Sequence, residues 1–399
     1  VKQIIITLFI FIFCNFSNPA VFIHNSKKEI NACKEKLNLK LVRIWGGGDE
    51  KDERIFFATP TNMVIDKNNL VYICDRHDHC VKVFKSNGEY FRKIGRKGQG
   101  PGDLLGPGKI TLAPNGDLLI FEYDGFRLQR FSPEGYSKSI IKINKSTGWA
   151  GITSKNEVAI YNWLHTFLSK KIIAFINEKG KVMKDFGHQD DPSSNYIDSE
   201  KLMIAMDDSD HFYVANKWTP VIRKYTPEGE LQMAITFETP FLVQDQVKLN
   251  STKPEIEIIR TDKGVQTQLK KDRSGNLMTK KRGKPKINIF NGIGIDAEKK
   301  IYVVTAQRRL SEEENLATRI SGGIDGINRK LVDFEIVENI DLYRLLVFDH
   351  DGKICAQAPF KGMCDDIYIH KDRLFIIDGL INQRILEFEM TFDNNSLNP

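Results

Sequence analysis

Short apolar runs of four to six residues recur along nearly the whole chain and stop at Asp, Asn or Gly. In one stretch, Met63-Val64-Ile65-Asp66 is followed by Leu70-Val71-Tyr72-Ile73-Cys74-Asp75, then Val81-Lys82-Val83-Phe84, the turn Asn87-Gly88, and Tyr90-Phe91-Arg92-Lys93-Ile94-Gly95. β-Branched and aromatic runs bounded by turn residues predict four strands joined by tight turns.

The same unit returns. A second copy starts at Lys109-Ile110-Thr111-Leu112 and ends near Pro133-Glu134-Gly135, a third runs from Gly151-Ile152-Thr153 to Phe186-Gly187, and a fourth from Leu202 to Gly229. Glycines 88, 135, 180 and 229 mark the third turn at intervals of 47, 45 and 49 residues. A fifth copy begins at Ile293-Gly294-Ile295-Asp296, is interrupted, and resumes at Leu345-Leu346-Val347-Phe348. A sixth, from Asp365 to Phe388, is one strand short. Leu39-Lys40-Leu41-Val42-Arg43-Ile44-Trp45-Gly46 looks like the fourth strand of a unit and supplies the missing one. A four-stranded sheet cannot bury both faces alone, so such units stack around an axis, and pairing the first strand with the last three removes the seam. The expectation is an all-β, six-bladed β-propeller over residues 39–392 with an N-terminal strand closing the last blade.

The turns carry a resemblance to the NHL-repeat family, which places Asp, two loose residues and Asn-His-Arg between second and third strands. Blade one has Asp75-Arg76-His77-Asp78-His79-Cys80-Val81, and blade six has Asp378 with Asn382-Gln383-Arg384-Ile385. The Gly-rich connection Gly95-Arg96-Lys97-Gly98-Gln99-Gly100-Pro101-Gly102 is similar to the family's link between blades. The resemblance extends to exported six-bladed bacterial proteins, many of them lipoproteins. It implies several roles, from peptide-amidation lyases to sugar, peptidoglycan or protein recognition, so it leaves function open.

The chain ends change the picture. Lys2 followed by the apolar run Ile4 to Phe13 and a small Ala20 reads as a signal peptide over residues 1–20, too short to span a bilayer. Cys14 is a candidate lipid-anchor site, although Phe13 before it is large; Cys33 follows a small residue but a charged stretch. The expected location is therefore the periplasm or outer cell envelope, with residues 21–38 as a linker, 393–399 as a tail, and no transmembrane segment in the mature chain. Export permits disulfides, and Cys74–Cys80 and Cys355–Cys364 are candidate pairs, against the reading that all four are small buried residues.

Two insertions stand out. The first, 241–288, holds a possible strand at Ile256 to Arg260, then eight Lys or Arg and one acid from Lys270 to Lys286. This stretch supplies most of the net charge of +6. A solvated loop and a contact with an anionic surface are the competing readings; without interleaved aromatics, nucleic acid is not the expected partner. The second, 307–341, reads as a short helix near Leu310 to Leu316, a Gly322-Gly323 tip and a strand from Val332 to Val337. It leaves after the second strand of its blade, the loop position that lids and specificity loops occupy.

Candidate chemistry collects at that same position. Asp75, His77, Asp78 and His79 suit either a metal or a braced turn, with Asp75 and His79 at turn positions and His77 left facing a ligand. Asp124, Phe126 and Arg127 on blade two, Trp163 and His165 on blade three, and Trp218 on blade four would complete one rim of aromatics and charged donors. Such a rim suits a peptide, glycan or envelope protein. No nucleophile elbow, His-Glu-x-x-His or phosphate cradle is present. A non-enzymatic recognition module without a cofactor is the leading expectation; a metal-dependent lyase or hydrolase using His77, His79 and His165 is the alternative.

Overall fold

The third turn of each complete unit closes in the same way. Gly88, Gly135, Gly180, Gly229 and Gly352 all have positive φ, and each N–H donates to the carbonyl three residues earlier at 2.9 Å. Only glycine takes that conformation without strain, so the sequence marker and the turn geometry are one fact.

The computed structural model describes residues 20–33, 35–46, 52–144, 147–188, 202–217, 219–239, 256–261, 264–269, 290–318, 321–323, 326–328 and 334–394. The chain opens with β1 (Val21–Asn25), α1 (Lys27–Asn31) and β2 (Glu35–Gly46). Blade one is β3 (Pro60–Ile65), β4 (Val71–Asp75), β5 (Cys80–Phe84) and β6 (Tyr90–Ile94). Blade two is β7 (Pro107–Leu112), β8 (Leu118–Glu122), β9 (Arg127–Phe131) and β10 (Ser137–Lys142). Blade three is β11 (Thr147–Ile152), β12 (Val158–Asn162), α2 (Trp163–Ser169), β13 (Lys171–Ile176) and β14 (Val182–His188). Blade four is β15 (Leu202–Met206), β16 (Phe212–Asn216), β17 (Thr219–Tyr225) and β18 (Leu231–Phe237).

The hairpin β19 (Ile256–Thr261) and β20 (Gly264–Leu269) falls in the first insertion. Blade five is β21 (Phe290–Ile295), β22 (Ile301–Ala306), β25 (Tyr343–Phe348) and β26 (Ile354–Phe360). The second insertion lies inside it, as α3 (Glu312–Ala317), β23 (Ser321–Gly323), β24 (Gly326–Asn328) and α4 (Phe334–Asn339). Blade six is β27 (Asp366–His370), β28 (Arg373–Asp378), β29 (Arg384–Asn394) and, as its outer strand, β2.

Ring closure follows from the β2 ladder, which pairs antiparallel with β29 from Glu35–Asn394 to Gly46–Arg384. Trp45, almost fully buried, sets its ring edge-on to Phe84 of blade one at 5.5 Å and donates its indole N–H to Glu387 at 3.1 Å. First strands of neighbouring blades approach one another, which puts them innermost, and the apolar clusters lie between blades rather than within one.

Each outer strand carries the same irregularity. The third residue after the turn glycine bulges in blades one to five, at Phe91, Lys138, Met183, Gln232 and Cys355, and Val42 bulges in β2. In blades one to three, where β6, β10 and β14 end their sheets, the bulge twists the edge away from further pairing, whereas β18, β26 and β2 each pair with a further strand.

Residues 21–38 are more than a linker. β1 adds to blade four as a fifth strand, parallel to β18, and α1 lies against blade five before β2 begins. β29 reaches Asn394, so the tail starts two residues later than expected. In the second insertion the expected strand from Val332 is instead helix α4 from Phe334, whose Val337 is buried against Ala317 and Ile381. The signal segment, Cys14, and the basic run from Lys270 to Lys286 lie outside the described residues.

Candidate functional site

The two faces of the ring are built differently. Turns between first and second strands, and between third and fourth, form one face. In blades one, four and five that face repeats a device in which Asp66, Asp207 and Asp296 accept backbone N–H bonds across the turn and a bond from Tyr72, Tyr213 and Tyr302, six residues on. Burial and the adjacent carboxylate push all three phenols up, Tyr72 to about 12, so each stays a donor.

The opposite face collects the turns between second and third strands and the links between blades. There the inner strand bulges near its start in blades one, two, three and five, at Thr61, Gly108, Gly148 and Asn291. A bulge re-aims a side chain and ends regular pairing, which is why such features gather near functional sites. Gly108 is required by the Tyr123 ring, which a Cβ there would meet at 1.9 Å.

Around these bulges stands a polar cluster drawn from several blades. Lys109 of β7 forms an ion pair with Asp366 of β27, joining blades two and six in front of blade one. Burial works against the Lys109 ammonium, but Asp366 and Tyr123 outweigh it and hold its pKa above the ordinary lysine value. Arg76 of blade one pairs with Asp124 of blade two at 2.9 Å and lies over the Tyr123 ring at 5.1 Å. Asn291 donates through Nδ2 to Tyr343 Oη at 2.9 Å and to the Cys364 carbonyl at 2.8 Å. The Cys364 carbonyl, which can only accept, fixes the amide orientation, and Asn291 Oδ1, buried, has no hydrogen-bond partner. Beside it, burial pushes the Asp365 carboxyl up to about 6, although part of the residue reaches solvent.

The expected rim residues divide on this face. His77 is exposed, with Nδ1 2.6 Å from Thr59 Oγ1, and it follows Arg76, which pairs with Asp124. Arg127 is a correction: it is 8% exposed, with its guanidinium on Glu122 at 2.7 Å and on the carbonyls of Gln99 and Asp103. It clamps the Gly-rich link, as Arg384 serves Asp378 in blade six. Phe126 is exposed because it takes the left-handed turn position, φ 47°, that His79 and Gln383 take in blades one and six. His165 sits on α2, which replaces the expected loop, and its Nε2 meets Asp185 of the outer strand β14 at 2.9 Å, away from the inner strands. Trp163 opens α2, and Trp218 lies outside the described residues.

Asp75 and His79 brace the turn, as their positions predict. Asp75 accepts from the N–H groups of Ala58 and Thr59 at 2.9 and 2.7 Å, and His79 Nδ1 accepts from Gly106 N–H at 3.0 Å. Burial lowers the His79 pKa, which keeps the ring neutral and Nδ1 an acceptor. His77, His79 and His165 thus meet three separate partners, and among the described residues no three His, Cys, Asp or Glu side chains gather as a metal would need.

Neither expected disulfide has the geometry. Cys74 pairs with Val81 and Cys80 with Asp75, so the two thiols point to opposite faces of their sheet. Cys355 belongs to the outer strand of blade five, whereas Cys364 precedes the inner strand of blade six. All five cysteines among the described residues are free.

The second insertion overlooks this face. Arg308 at its root holds Glu314 at 2.7 Å and Asp341 at 2.8 Å, tying both ends together. Ala317 and Val337 pack on Ile381 in the turn of blade six, and Glu338 pairs with Arg384 at 3.0 Å.

Comparison with known proteins agrees with this architecture. The DUF5128 family, described as a 6-bladed beta-propeller, matches residues 56–270, more than half of the chain. The chain belongs to that family. A duf4221-family protein of Bacteroides vulgatus ATCC 8482 is similar to this DUF5128 propeller, at 11% identity, over 90% of this chain and 99% of its own, with a TM-score of 0.51. A candidate exported protein of Bacteroides fragilis NCTC 9343 is similar at 10% identity, over 94% and 100%, with a TM-score of 0.52. Identities this low show the fold alone. No curated protein matches the DUF5128 propeller. No helix among its described residues is long and apolar enough to cross a membrane.

Proposed function

We propose that the protein is an exported, NHL-type recognition propeller that captures a polar peptide segment of a cell-envelope protein on the face of the inner-strand bulges. Its binding residues are Lys109, Asp366, Arg76, Asp124, Tyr123, Asn291 and His77. The observation that carries this reading is Asn291, a bulged inner-strand amide whose donors are used and whose buried acceptor is free. A peptide N–H is the donor such an acceptor takes, and the alternating charges of Lys109, Asp366, Arg76 and Asp124 match the mixed charge of a peptide better than a uniform polyanion. A glycan is the second reading, with Trp163 and Trp218 as the residues proposed from the sequence to stack on it. The basic stretch from Lys270 to Lys286 would add attraction to an anionic envelope surface.

Panning the purified chain on a displayed random-peptide library tests this. Lys109→Ala/Asn291→Ala should recover peptides at least tenfold less well than the wild type while keeping its circular dichroism. Trp163→Ala/Trp218→Ala should lose soluble polysaccharide and keep peptide. Equal recovery of peptide by the wild type and the Lys109/Asn291 variant would overturn the assignment.

A further inference from the structure

In the regular ladder between β22 and β25 of blade five, Thr305 stands directly opposite Arg344. Residues opposed in this way put their side chains on one face of the sheet, with Cβ atoms about 5 Å apart. The alternation along the two strands identifies that face. Tyr302, Val304, Tyr343 and Leu345 pack in the cluster shared with blade six. Ile301, Val303, Leu346 and Phe348 pack in the cluster shared with blade four. Thr305 and Arg344 continue the second row, so both enter the cleft between blades four and five, near its end on the irregular face. Phe290, opposite Thr305 on the inner strand, and Phe237 of β18, 5.4 Å from Phe290, wall that cleft with apolar rings.

Both polar side chains lack partners there. Thr305 is 1% exposed and its Oγ1 has no hydrogen-bond partner, and the buried Arg344 Nε has none either. Arg344 Nη1 donates to Gln357 Oε1 at 3.2 Å, while Gln357 Nε2 donates to the Ile30 carbonyl at 2.7 Å. Gln357 is thus engaged at both ends of its amide and holds the guanidinium by one corner. The edge formed by Nε and Nη2 stays open, and among the described residues no carboxylate pairs with Arg344. Burial lowers the Arg344 pKa, with only the Cys33 thiol acting in the other direction. Charges withdrawn from water are ordinarily paired.

We propose that Thr305 and Arg344 form a carboxylate-binding site in the cleft between blades four and five. The open Nε/Nη2 edge is the fork that receives a carboxylate through two parallel N–H···O bonds, and the Thr305 hydroxyl is a third donor to the same group. A lysine, a point charge on a flexible stem, does not reproduce that fork. The site is separate from the peptide-capturing groups, because Asn291 bonds Tyr343 on the blade-six side of the same sheet. A free organic acid and an acidic side chain of a polypeptide carry the same chemistry, and two probes separate them.

Isothermal titration of the full chain with succinate, and with an end-blocked tripeptide whose only charge is one aspartate, tests the site. At least one probe should bind saturably, one per chain, with no binding of succinamide or of the asparagine tripeptide. Succinate binding assigns a free acid; binding of the tripeptide alone assigns a polypeptide. Arg344→Lys should weaken binding about tenfold and Thr305→Val about fivefold, both with native circular dichroism. Hydrogen exchange of the wild type with the bound probe should add protection at 304–306 and 343–345 and leave 108–110 and 365–367 unchanged, which locates the site even where a variant fails to fold. Failure of peptide capture at Asn291 leaves that result untouched. No saturable binding of either probe, equal binding by natively folded Arg344→Lys, or protection at 108–110 and 365–367 instead would overturn the proposal.

Discussion

The two faces of this ring are made from the same repeat and have diverged in opposite ways. One repeats a device in blades one, four and five, an aspartate, six residues later a tyrosine, and a positive-φ glycine at the next turn, and blades two and three keep that glycine. On the other face the polar groups differ between blades, with Thr61 and Arg76 in blade one, Lys109 and Tyr123 in blade two, Asn291 in blade five and Asp366 in blade six, while blades two and three share a bulged glycine, Gly108 and Gly148. Regularity of that kind serves a demand every blade shares, namely holding its turns. Irregularity at equivalent positions has no such use, and it coincides with bulged inner strands and a cross-blade ion pair. Structure shared by all units is scaffold, and what differs between them is where a ligand can be told apart.

The comparison breaks most severely if the ring opens, because both faces depend on it. Trp45→Ala removes a buried indole between blades six and one and strands Glu387, and should cost about 3–5 kcal/mol, read from urea unfolding. Tyr213→Phe strikes the regular face alone. It deletes a buried donor to Asp207 and should cost about 1–2 kcal/mol while leaving peptide capture intact.

Acidity gives a third handle. The Asp365 carboxyl, at about 6 against 3.8 unfolded, favours the protonated form in the folded protein. Its contribution is therefore full below about 3.8 and is lost as pH rises through about 6. Stability measured across that window should fall, and Asp365→Asn should flatten the fall, since an amide oxygen still accepts from Gly379 and Leu380 without carrying charge. Smallest of all is Phe126→Asn. Asparagine tolerates the left-handed turn, so stability should change by no more than about 0.5 kcal/mol and capture should be unaltered. A loss of capture would return Phe126 to the ligand.

The scaffold was legible because its markers are local. The glycine spacing, the short apolar runs and the likeness of residues 39–46 to a fourth strand each report a turn or a strand directly. The N-terminal segment was not, because residues 21–38 read as a linker and only the ladder of Val21 to Asn25 with Met233 to Phe237 makes a strand there. α4 was missed since Val332, Phe334 and Ile336 alternate like a strand, while the contact of Val337 with Ala317 and Ile381 is long-range and not visible in the local pattern.

At the proposed site, turn-loop position pointed to the face but not to the groups. Arg127 has the residue type of a ligand donor, and only its contacts with Glu122 and the Gly-rich link reveal a clamp. Lys109, Asn291 and Asp366 sit at or near the starts of apolar first strands, and a polar residue there was the available signal. Bulges hid it, because one extra residue inverts the inward and outward alternation that sequence reading relies on.

Hydrogen exchange of the full chain, with and without a peptide selected by panning, tests most directly whether recognition sits on the irregular face. Added protection should appear at residues 59–62, 76–79, 108–110, 290–292 and 365–367, with the turns at 66–70 and 207–211 unchanged. Protection confined to those turns, or spread evenly over both faces, would contradict the account.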